Sequence, residues 1–227
     1  MTKIYVIGIG YKSLDKRERK IIYNSEIILS SGRLFEVFKR YKEFGKVKEK
    51  VLVIDTVDET IEFIKSNISE HEENIITVLA SGDPLFFGIG RRVINEFGKD
   101  RVEIMPDLSS IQIAFARIKE PWDNAFLMSL HRGPDPAKRK SQKYEMKDIP
   151  DLLERYKKIA ILTDRENNPV EISKVLISSP ITRNLSPRVF VCERLGYPDE
   201  KITKGTPEDI SAMSFSTPNV VIIVSGD

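Results

Sequence analysis

Cysteine is nearly absent from this chain of 227 residues: Cys192 stands alone. No internal disulfide is available, which fits a reducing compartment. With only two histidines, His71 and His131, clusters of Cys and His that bind zinc are excluded and no metal site is expected. Cys192 ends the apolar run Val189-Phe190-Val191-Cys192 and reads as a small buried hydrophobe, not a nucleophile. Charge of one sign is also lacking. The 36 basic and 34 acidic residues leave a net charge of +2, too little to argue nucleic-acid binding. No apolar run approaches the roughly 18 residues that a membrane span needs. The start, Met1-Thr2-Lys3-Ile4-Tyr5-Val6-Ile7, reads as a strand that turns at Gly8, not as a signal peptide. A soluble cytoplasmic protein is expected, with enough apolar residues for a core that needs no staples.

What the chain does have is alternation. Short β-branched runs at 4–9, 27–30, 51–54, 75–80, 102–105, 125–129, 159–163, 188–192 and 220–224 are spaced by helical patterns at 13–24, 34–41, 59–70, 89–97, 109–118, 149–155, 169–177 and 207–213. The alternation predicts an α/β fold, and the unbroken apolar strands predict parallel sheets covered on both faces. Segment 45–50 admits a helix-period reading, though a charged loop is simpler. Pro121 in Lys119-Glu120-Pro121-Trp122 breaks the pattern, which predicts two domains, 1–118 and 119–227. Trp122 reads as a packing residue of that hinge.

Three motifs follow strand ends in the first half. Gly8-Ile9-Gly10-Tyr11 comes first. A dinucleotide fingerprint would need a third glycine where Lys12-Ser13 stands, so that class is disfavoured. Ser81-Gly82-Asp83-Pro84 comes second. Asp83 reads either as a helix N-cap or as a ligand contact at the carboxyl end of a strand. Met105-Pro106-Asp107-Leu108-Ser109-Ser110 comes third, and Ser109 or Ser110 reads as an ordinary cap or as a site residue. In a parallel sheet these ends share one edge, so the motifs converge on one crevice.

In order, G-x-G, G-D-P and P-x-x-S-S, the motifs resemble the tetrapyrrole methylase family, whose members bind S-adenosylmethionine in a cleft between two α/β domains. Pro121-Trp122-Asp123-Asn124-Ala125, Ser129-Leu130-His131, Leu162-Thr163-Asp164, Glu193-Arg194-Leu195-Gly196 and Asp199-Glu200-Lys201-Ile202 further resemble the precorrin C5-methyltransferases of cobalamin biosynthesis. The resemblance implies methylation of cobalt-precorrin-7 at C5 to give cobalt-precorrin-8. Another position on a corrin precursor stays open as an alternative, as does a non-catalytic nucleotide-binding module.

By the same resemblance, S-adenosylmethionine meets Gly8, Gly10, Tyr11, Ser81, Gly82, Asp83, Phe86, Ser109 and Ser110, with Leu162, Thr163 and Asn219 from the second half. His131 is the candidate base for the C5 proton, or else a structural or substrate-carboxylate contact. Arg117 and Arg132 are candidates for gripping the acidic macrocycle. His71, in a polar stretch, reads as solvated. A homodimer is implied. The chain ends soon after Val224, so a separate C15-methyltransferase/decarboxylase is expected as a partner. Three departures from the family pattern stand out: Tyr11-Lys12 replaces Pro-Gly, Asp107 replaces Gly in P-G-x-S-S, and His131-Arg132-Gly133 replaces His-Gly-Arg.

Overall fold

In the computed structural model, which describes residues 2–70, 73–131 and 144–226, the β-branched runs form ten strands arranged as two five-stranded sheets. The chain divides into two compact units, 1–109 and 110–227.

The first unit holds β1 (Lys3–Ile9), β2 (Ile27–Ser30), β3 (Val51–Val53), β4 (Ile75–Ser81) and β5 (Val102–Met105), in the order β3-β2-β4-β1-β5. Every pairing is parallel, with Ile4 opposite Ile76 and Val102, and Ile9 opposite Ser81. Ile4, Val6, Leu29, Ile76 and Val78 form a core with Ile61 and Ile64 of the helix Val57–Glu70 and Val93 of the helix Gly90–Phe97. Burying each such side chain is worth about 1.5–3 kcal/mol. The helix Lys16–Asn24 starts at a reciprocal capping box: Asp15 accepts from the Glu18 amide, and Glu18 accepts from the Asp15 amide. This satisfies two otherwise orphaned donors.

The second unit holds β6 (Phe126–Ser129), β7 (Lys158–Leu162), β8 (Arg188–Glu193), β9 (Lys201–Gly205) and β10 (Asn219–Val224), in the order β6-β7-β10-β8-β9. Only β6 and β7 run parallel; β10 is antiparallel to β7 and β8, and β8 to β9. The parallel expectation therefore fails for this half. Consecutive Val220, Val221, Ile222 and Ile223 are all buried, so both faces of β10 are covered. That coverage writes the same apolar run whichever way a strand points. The sequence pattern also passed over β9, an edge strand bearing Lys201 and Lys204, since polar edges lack the apolar signature of a central strand. The helix Ser110–Ile118, assigned from sequence to the first half, packs on β7 and β10.

Segment 45–50 follows the helical alternative and not the simpler loop. A helical turn, Phe44–Val47, runs into the 3-10 turn Lys48–Lys50 and buries Val47. Cys192 lies wholly inside β8, and burial, with lesser repulsion from Glu200 and Glu193, pushes its thiol up to about 12. Among the described residues, no helix is long and apolar enough to cross a membrane.

Candidate active site

The turns after β1, β4 and β5 touch one another because two positions carry no side chain. A Cβ at Gly8 would stand 1.9 Å from the Gly82 carbonyl oxygen and 2.6 Å from the Asp107 nitrogen. Gly82, at φ +61°, would put a Cβ 2.6 Å from the Leu108 oxygen. Only glycine fits backbone this close and this conformation. Main-chain bonds tie the three turns: Gly82 N–H donates to Ile9 O at 3.1 Å, and Asp107 N–H to Gly82 O at 3.3 Å. Beyond Gly10 the backbone opens, with no atom within 4 Å of where its Cβ would stand.

Side chains finish the junction. Asp107 is 5% exposed, and its Oδ2 accepts from Tyr11 N–H at 2.7 Å and Lys12 N–H at 3.2 Å. Its Oδ1 accepts from Leu108 N–H at 2.7 Å. Tyr41 accepts from Gly10 N–H at 2.8 Å and donates to Lys12 O at 2.9 Å. Burial is the main cause that raises the Tyr41 hydroxyl above its ordinary value; the Gly10 N–H opposes it, and the charge of Asp107 adds to it. The Tyr11 amide thus donates to Asp107.

Ser81 closes β4 and is exposed. Asp83 is half-buried and bends the turn on itself: its Oδ1 accepts from Leu85 N–H at 2.8 Å and its carbonyl from Phe86 N–H at 3.1 Å. The N-cap alternative for Asp83 falls, because the helix begins at Gly90 with Ile89 at its cap. Pro84 lies in the same turn, and its carbonyl accepts from Gly90 N–H at 2.9 Å. The Phe86 ring meets Phe87 edge to face at 4.8 Å. Ser109 is buried just before the helix that Ser110 opens.

In the second unit, Leu162 ends β7 opposite Val220, and Thr163 follows it. Thr163 Oγ1 lies 2.6 Å from Asn219 Oδ1 and 2.8 Å from Asn219 O, so the fold brings Leu162, Thr163 and Asn219 together. Asn219 Nδ2 donates to Ser216 O at 2.9 Å. His131 is exposed just past β6, its N–H donating to Ser129 Oγ at 3.3 Å. The preceding Leu130 carbonyl accepts from the buried Asn167 Nδ2 at 3.1 Å. Arg117 is paired with Glu200, which holds the guanidinium above its usual range. Arg132 and His71 lie outside the described residues.

The sequence profile of the Tetrapyrrole (Corrin/Porphyrin) Methylases matches residues 3–211. The chain belongs to this family. The tetrapyrrole methylase is 29% identical over 217 residues to a probable cobalt-precorrin-7 C(5)-methyltransferase of Methanocaldococcus jannaschii, covering 94% of this chain and 93% of the relative. The crystal structure of the precorrin-6Y methylase of Archaeoglobus fulgidus superposes with a TM-score of 0.69 at 20% identity, covering 100% of this chain and 98% of that one. The uroporphyrin-III C-methyltransferase of Thermus thermophilus, solved with S-adenosylhomocysteine, superposes with a TM-score of 0.68 at 17% identity, covering 98% and 92%. The two structural likenesses establish that the methylase has the fold of these enzymes.

Two residues of the junction escaped the sequence reading. Tyr41 lies 31 residues beyond Gly10 and 29 beyond Lys12, the two loop residues it bonds, and carries no local signal. Asp107 stands within the third motif, where only Ser109 and Ser110 were singled out as caps or site residues.

Proposed function

We propose that this tetrapyrrole methylase transfers the methyl group of S-adenosylmethionine to C5 of cobalt-precorrin-7, giving cobalt-precorrin-8. The observation that carries the reading is the junction of the turns after β1, β4 and β5 at one edge of a parallel sheet, where open α/β sheets bind ligands. These turns carry the carboxylates of Asp83 and Asp107 and, where the third leads into its helix, the hydroxyls of Ser109 and Ser110, which both donate and accept. Such a set suits a cationic molecule rich in hydroxyls, and the open space beyond Gly10 leaves room beside it. The M. jannaschii relative supports the choice of carbon.

The donor's sulfonium supplies both the methyl and its leaving group. The protein's task is alignment, which can be worth roughly 7–11 kcal/mol. Gly8, Gly10, Tyr11, Ser81, Gly82, Asp83, Phe86, Ser109 and Ser110 hold the donor in this proposal, to which Leu162, Thr163 and Asn219 also belong. His131 accepts the C5 proton, a task for which imidazole is suited near neutral pH. Arg117 and Arg132 are the partners of the substrate's carboxylates in this proposal, and the working form is a homodimer. A separate enzyme handles C15.

The test combines S-adenosylmethionine carrying an isotopic methyl label with candidate corrin precursors, with and without cobalt, read by mass spectrometry. One labelled methyl at C5 of cobalt-precorrin-7 is expected. Label at another carbon overturns the substrate assignment. In a thermal-shift panel, S-adenosylmethionine and S-adenosylhomocysteine should raise the melting temperature while NAD and ATP leave it alone. The reverse pattern would identify a nucleotide-binding module.

A further inference from the structure

We infer that Asp107 is a positioning residue that sets the shape of the donor-binding loop by accepting its amides. Its effect on the donor rests on the reading above, whereas its geometry does not. Asp107 stands on the turn after β5, yet it engages all three turns. Its own N–H donates to Gly82 O of the β4 turn at 3.3 Å. Its Oδ2 accepts from Tyr11 and Lys12 of the β1 turn, and its Oδ1 from Leu108. Asp107 is 5% exposed, and its bonds to the Tyr11, Lys12 and Leu108 amides are part-buried. An amide stripped of its partner there loses a charge-assisted bond, stronger than the neutral one that water offers in its place.

Together with Tyr41, which takes the Gly10 amide, Asp107 uses the N–H groups of Gly10, Tyr11 and Lys12 within the protein. The loop after β1 is therefore not an anion cradle of the kind that glycine-rich loops build from free amides. It meets the donor with carbonyls and side chains, beside a fixed negative charge.

The Tyr11 amide and the Asp107 carboxylate are a donor and an acceptor 2.7 Å apart. Proline has no N–H and glycine no side chain, so Tyr11→Pro removes the donor and Asp107→Gly the acceptor. Losing one partner strands the other, so either change alone should cost more than both together.

The test compares Asp107→Gly, Asp107→Asn, Tyr11→Pro and the double variant Tyr11→Pro/Asp107→Gly with the wild type. Three readouts are taken: amide hydrogen exchange at residues 11 and 12, affinity for S-adenosylmethionine by calorimetry, and KM against kcat. Asp107→Gly should speed exchange of the Tyr11 and Lys12 amides and weaken donor affinity, each about tenfold, raising KM for the donor with little change in kcat. Asp107→Asn, which keeps one accepting oxygen, should fall between. The double variant should bind the donor more tightly than Asp107→Gly alone. Unchanged exchange in both Asp107 variants overturns the proposal, and so do strictly additive losses of affinity. If the wild type binds neither S-adenosylmethionine nor S-adenosylhomocysteine, the donor reading fails, and the exchange rates still decide the role of Asp107.

Discussion

Glu200 grips Arg117 with both carboxylate oxygens, Nε on Oε1 and Nη2 3.4 Å from Oε2. The same carboxylate accepts from Gly196 N–H at 2.8 Å. The Arg117 bond is the main cause that lowers Glu200 below the ordinary carboxylate value; burial opposes it and the Gly196 amide assists. Because the folded pKa of Glu200 is depressed, the pair's contribution is fully present above the unfolded value near 4.5 and is lost as pH falls through the folded value. Arg117 stays charged throughout. With the arginine about half exposed, the contribution should be at most ~1 kcal/mol. Glu200→Gln should lower the midpoint of urea unfolding slightly at pH 7, and the gap from wild type should close in acid. A gap that widens in acid contradicts the pairing.

Arg117 as a substrate contact must share its guanidinium with Glu200. Arg117→Ala should therefore raise KM for the corrinoid only a few-fold, less than the loss of an unshared arginine, whose charge-assisted bonds are worth about 1.5–3 kcal/mol. Steady-state kinetics with the corrin substrate checks this.

Gly8→Ala forces a Cβ against backbone atoms of both neighbouring turns, where no side chain can swing aside. A loss of about 1–3 kcal/mol in stability is expected from overpacking. Donor affinity should fall as well, because the turns after β4 and β5 must separate. Denaturant melts and calorimetry on the same variant read the two effects.

Asp83→Ala removes the acceptor for the N–H of the exposed Leu85. The fold should survive, with far-ultraviolet circular dichroism unchanged, while affinity for S-adenosylmethionine weakens about tenfold. Unchanged affinity takes Asp83 out of the site.

His131→Ala should lower kcat by about 10²–10⁴-fold if the imidazole takes the C5 proton, with donor affinity preserved. Normal turnover of the corrinoid would end the base role. Asn167→Ala offers a graded companion: it withdraws the bond that holds the Leu130 carbonyl beside His131, so kcat should drop by a smaller factor.

The α/β class and the edge where the motifs meet were readable in the chain because both rest on short-range patterns. Glycines at 8 and 82 and apolar runs before them are enough to place the turns after β1 and β4. Strand direction in the second unit was not readable, since Val220-Val221-Ile222-Ile223 is equally apolar in either orientation. Nor was the supporting shell. Tyr41 reaches Gly10, and Asn167 reaches Leu130, across long stretches of sequence, and no periodicity records such bonds. The Asp83 N-cap reading misled because propensity sees an acid before a proline, while the chain spends six residues, 84–89, on a turn before its helix begins at Gly90.

Cys192, sealed within β8 with its thiol pushed up to about 12, is all but devoid of thiolate at neutral pH. Maleimide reagents should therefore pass it by in the native state. A cysteine introduced on the surface would be the sole labelling handle, so fluorophores for following donor binding can be attached to the otherwise unaltered chain.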